Sequence, residues 1–120
     1  MMPNETHFQV RVKATMFIED AASALLSEHA ALRANPQTAY MATVVTVIRT
    51  ELGSLLEILN DQGSPKHGKV ARRVAECALI LEKMLQNAKI RIAWENLMAA
   101  NKSLRDEEDL RSCSASSFAT

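Results

Sequence analysis

Met41-Ala42-Thr43-Val44-Val45-Thr46-Val47-Ile48-Arg49-Thr50-Glu51-Leu52-Gly53-Ser54-Leu55-Leu56-Glu57-Ile58-Leu59 carries the clearest period in the chain. Its apolar positions, Met41, Val44, Val45, Ile48, Leu52, Leu55, Leu56 and Leu59, recur every three or four residues. Thr43, Thr46, Thr50, Ser54 and Glu57 fall largely on the other side, so the stretch reads as an amphipathic helix. The β-branched run from Val44 to Ile48 lowers intrinsic helix propensity. It shows no strand-like alternation, so the period prevails.

Outward from this stretch, both flanks are punctuated. Asn35-Pro36 pairs a good N-cap with a residue suited to a first helical position, so a second helix is expected from Pro36 to Asn60. Asp61-Gln62-Gly63-Ser64-Pro65 reads as a turn. Upstream, Phe17, Ala21, Leu25 and Leu32 mark a first helix from Thr15 to Arg33. Downstream, Val70, Val74, Cys77, Leu81, Met84, Ala88 and Ile92 form a heptad-like seam with a slip near its end. Helical character continues through Trp94, Leu97, Met98 and Leu104 toward Asp109.

An unbroken helix from Pro65 to Asp109 would be about 68 Å long, at about 1.5 Å per residue. A compact domain of this length spans only about 35 Å. The third helix is therefore expected either to break, with Asn101 as the candidate, or to project and require a second chain. The expected fold is all-α: a helical hairpin plus a long third helix in one domain, residues 1–111, followed by a disordered Ser- and Ala-rich tail, residues 112–120.

Residues 7–14 complicate that picture. Phe8, Val10, Val12 and Ala14 alternate with Gln9, Arg11 and Lys13, which is the period of a short β-strand. A strand followed by two helices resembles the ribbon-helix-helix family. That resemblance implies a dimeric DNA-binding regulator whose paired strands enter the major groove, with Gln9, Arg11 and Lys13 as the reading residues. It covers residues 8 to about 59. The chain departs from the family pattern in its longer first helix and in Ala34-Asn35-Pro36 at the turn.

Composition narrows the function classes. The 120 residues include 14 basic and 14 acidic side chains, which argues against a dedicated polyanion-coating protein. Residues 64–91 nevertheless hold seven cations against two anions, including Lys66, Lys69, Arg72 and Arg73 around the start of the third helix. The two cysteines, Cys77 and Cys113, show no metal or disulfide spacing, and point to free thiols in a cytoplasmic setting. No leader or membrane-spanning run is visible.

Catalysis needs a nucleophile, a base and an orienting group. With only His7, His29 and His67 available, no such set can be assembled, and no catalytic, metal or cofactor site is expected. The Asp106-Glu107-Glu108-Asp109 run fans around a helix and cannot converge on one ion. No small-molecule substrate is implied. The leading expectation is a non-enzymatic helical interaction protein (an adaptor, chaperone or regulatory subunit) that binds a protein partner or itself. Its surface is expected at Leu81, Leu85, Ile92, Trp94, Leu97 and Met98, where the third helix carries more apolar surface than a three-helix bundle absorbs.

Overall fold

The computed structural model describes residues 7–61 and 67–119, with side chains described for 9–61 and 67–106. Of the turn expected at Asp61–Pro65, residues 62–65 lie outside the described residues. Four helices follow one another: α1 His7–Ala34, α2 Ala39–Leu59, α3 His67–Leu81 and α4 Ala88–Ala119, with a single 3₁₀ turn, Glu82–Met84, between the last two.

Neighbours in sequence run antiparallel. His29 near the end of α1 meets Thr46 near the start of α2. Glu51 on α2 pairs with Arg73 on α3, and Asn101 on α4 reaches Ala71 on α3. Asn87, just before α4, bonds Glu28 near the end of α1, so these two helices are antiparallel as well. α1 packs on α2 and α4, α3 packs on α4 and more sparsely on α2, and among the described residues the diagonal pairs do not meet. The architecture is an all-α up-down-up-down bundle.

Each helix contributes one seam. The buried set is Val10, Ala14, Ile18, Ala21, Leu25 and Leu32 on α1, and Ala42, Val45, Ile48, Leu52, Leu55 and Leu59 on α2. Val70, Val74, Cys77 and Leu81 follow on α3, and Ile90, Ala93, Leu97, Ala100 and Leu104 on α4. Nearly every step is three or four residues, the spacing that keeps a stripe facing its neighbours. The α1 and α4 seams both alternate large and small residues. Small side chains at alternate layers let two helix backbones approach closely, and α1 against α4 is the most extensive helix pair in the bundle.

Three sequence expectations are corrected. The segment 8–14 is the first two turns of α1 and not a strand, and no described residue is in a strand. Val10 and Ala14 are four apart, so the same residues satisfy a helical step once Ile18 and Ala21 extend it. The second helix starts at Ala39, not Pro36. Asn35 Oδ1 accepts the Gln37 N–H at 2.9 Å and holds a turn. The Thr38 hydroxyl then donates back to the Leu32 carbonyl at 2.8 Å, closing α1 and not capping α2.

The third correction is the break in the long helix. It falls at 82–87, and Asn101 lies inside α4. Asn87 Oδ1 accepts the N–H groups of Lys89 and Ile90, each at 3.0 Å, which makes Asn87 the N-cap of α4. Its Nδ2 donates to Glu28 Oε2 at 2.7 Å, tying the cap to α1. Asn101 is buried and donates to the Ala71 carbonyl at 2.7 Å, so its polar group is satisfied within the bundle. Asn87→Ala is expected to cost about 1–3 kcal/mol, from the lost cap and the lost charge-assisted bond. Asn87→Asp keeps an acceptor for the amides but faces the Glu28 carboxylate. It should recover part of the thermal stability, and more when combined with Glu28→Gln.

Candidate functional site

The residues expected to form a partner surface separate in the structure. Leu81 and Leu97 are fully buried in the bundle's own core. Trp94 is half-buried and packs against that core, and Leu85 is also half-buried. Only Ile92 and Met98 are exposed, at 45% and 41%. Six helical positions separate them, which is about 120° around the axis, so they belong to different faces. α1 covers the α4 stripe because its two extra N-terminal turns supply Val10 and Ala14. The apolar excess on the C-terminal helix therefore does not by itself demand a second chain.

Gln9, Arg11 and Lys13 do not all share a face either: at about 100° per residue, Gln9 and Lys13 fall about 40° apart and Arg11 on the opposite side of the helix. Gln9 and Lys13 are exposed and Arg11 is half-buried. The ribbon that would carry them into a DNA groove is replaced by helix.

The other exposed apolar residues lie on α1, α2 and the end of α3, where Leu79 and Ile80 are exposed at 62% and 47%. On α1, Val12, Met16 and Leu26 are exposed at 39%, 57% and 54%. At about 100° per residue they fall within about 80° of one another, one stripe on the outer face. On α2, Tyr40 and Val47 are seven apart and exposed at 63% and 60%. Sequence periodicity alone hides these positions: the alternation over residues 7–14 puts Val12 on the apolar face of a strand.

A groove lies between the last turns of α1 and the first turns of α2. It is open to solvent, has a volume of about 410 Å³ and is lined by His29, Arg33, Ala39, Ala42, Thr43, Thr46 and Val47. The Thr46 hydroxyl donates to the Ala42 carbonyl at 3.0 Å. Its single proton is thereby used, so in the 3.1 Å contact with His29 Nε2 the ring N–H donates to Thr46 Oγ1. This bond holds the imidazole against α2.

An ion pair and a thiol lie between α2 and α3. Arg73 and Glu51 pair at 2.5 Å between α3 and α2. Cys77 sits in the core beside them, and burial pushes its thiol from 9.0 up to about 11, with Glu51 and Glu76 adding to the rise and Arg73 opposing it. Between those two values the unfolded chain loses the thiol proton while the folded chain keeps it. Stability is therefore expected to fall as pH rises from about 9 toward about 11, by at most ~2–3 kcal/mol from this group. Comparing urea midpoints of the chain and of Cys77→Ala across that range isolates the contribution. In a Cys113→Ser background, Cys77 should resist a thiol reagent at neutral pH until denaturant is added.

Among the described residues, no group of three or more His, Cys, Asp or Glu side chains gathers to hold a metal. No helix among them is long and apolar enough to cross a membrane. No family model matches the chain, and neither does any curated protein or solved structure.

Proposed function

We propose that this chain is a non-enzymatic helical interaction protein, acting as an adaptor, chaperone or regulatory subunit in a cytoplasmic setting. It associates through the outer face of α1, with a second copy of itself as the first partner to test. The observation that carries this reading is the exposed stripe of Val12, Met16 and Leu26 on a helix whose opposite face is fully used in the core. Burying a large aliphatic side chain stabilises a complex by about 1.5–3 kcal/mol relative to leaving it in water. A partner helix laid along α1 would gain that at Val12 and Met16, one turn apart, and again at Leu26, with exposed Glu19 and Ser23 between them on the same face. Ile92 and Met98 lie on separate faces of α4 and can add only at the edges of such a contact.

Sedimentation velocity tests the proposal. The chain is expected to sediment above its 13.3 kDa monomer mass. A Met16→Glu and Leu26→Glu double variant should sediment as a monomer with unchanged far-ultraviolet dichroism, because both positions are exposed. Equal sedimentation of the two proteins would overturn the α1 stripe as the self-association surface.

A further inference from the structure

We propose that the groove between α1 and α2 is a binding site for a small organic carboxylate, independent of the association surface. Arg33 lies on its wall, exposed, with no ion pair or hydrogen bond among the described residues. The carboxylate nearest it along α1, Glu28, is bonded to Asn87 at the junction with α4. The guanidinium is thus an unspent fork of donors, whose geometry matches the two oxygens of a carboxylate. Thr43 also lines the groove, exposed, with no hydrogen bond of its hydroxyl among the described residues; turned toward the same head group, that hydroxyl can donate a third hydrogen bond. His29 is already oriented by Thr46 and walls the site.

The remainder of the lining sets the rest of the ligand. Ala39, Ala42, Val47 and the methyl groups of Thr43 and Thr46 offer an apolar bed. A volume of about 410 Å³ is within the range of small-molecule sites, which combine apolar walls with a few convergent polar groups. One guanidinium over an apolar bed suits a monoanion with a hydrocarbon body. An inorganic dianion would leave that bed uncovered and most of its own oxygens without donors.

Titrating the full chain with sodium benzoate, and following amide and Arg side-chain signals by NMR, tests this. Saturable shifts should be confined to Arg33, Ala39, Thr43, Thr46 and their immediate neighbours. Arg33→Gln should weaken the binding by about 10-fold or more, the size of a lost charge-assisted pair. Thr43→Val, isosteric and exposed, should weaken it several-fold with the spectrum otherwise unchanged. Absence of saturation, or Arg33→Gln binding like the parent, would overturn the site. Equal binding of benzyl alcohol would overturn the role of charge, and equal binding of inorganic phosphate would overturn the role of the apolar bed. Either result rejects a carboxylate site.

Discussion

Changing Trp94 and Leu97 together to Ala is expected to unfold the bundle or bring it close to unfolding. Leu97 is fully buried, and Trp94 packs against the same core from its edge. Truncating a buried Leu costs about 2–5 kcal/mol, and a large aromatic costs about 3–5 kcal/mol when fully enclosed. Trp94 is half-buried and the two residues are neighbours on one helix, so the costs do not simply add. A combined loss on the order of 5 kcal/mol is comparable with the whole stability of a small domain.

A urea or thermal transition followed by circular dichroism reads this directly. Had these residues formed a partner surface, the variant would keep its melting temperature and lose only assembly. That outcome would refute the intramolecular core. Trp94→Phe is the matching control. The indole Nε1 is buried with no hydrogen-bond partner among the described residues, so replacing the indole with a phenyl ring removes an unsatisfied donor as well as some contact area. Its melting temperature should stay much closer to that of the parent.

The second large effect is expected at the other side of the same interface. Ala14→Glu places a carboxylate at a position with no solvent exposure, in the α1 seam that faces α4. An unpaired charge there costs several kcal/mol or forces the first turns of α1 away from the bundle. Val12→Lys, two residues earlier, should change stability by no more than about 0.5 kcal/mol, because Val12 points outward. A strand over 7–14 would place both residues on one apolar face, and both changes would then be equally damaging. The contrast between these two variants separates helix from strand without any structural measurement. A fluorescence or dichroism melt of each suffices. Equal damage would remove the first two turns of α1 from the account, and with them the cover over Ala100 and Leu104.

Local chemistry determined the helical character of the chain and the position of its first connection. The Met41–Leu59 period admits no other regular structure, and Pro36 interrupts any helix approaching it. The slip near the end of the Val70–Ile92 seam does not by itself place a break, because Asn87 acts as a cap only in the presence of two free amides and the Glu28 carboxylate.

Tertiary packing decided the rest. Val10 and Ala14 are compatible with a period of two and with a step of four, so eight residues cannot choose between strand and helix. The choice follows from the partner, since α4 presents Leu97, Ala100 and Leu104 along a line that only a continued α1 can cover. The same packing moved Leu81 and Leu97 from the expected surface into the core. It left Val12, Met16 and Leu26 outside, and it brought Arg33, Thr43 and His29 to one groove from separate helices. Periodicity tells which side of a helix is apolar; which neighbour covers that side depends on the free energy of the assembled bundle, to which every helix contributes.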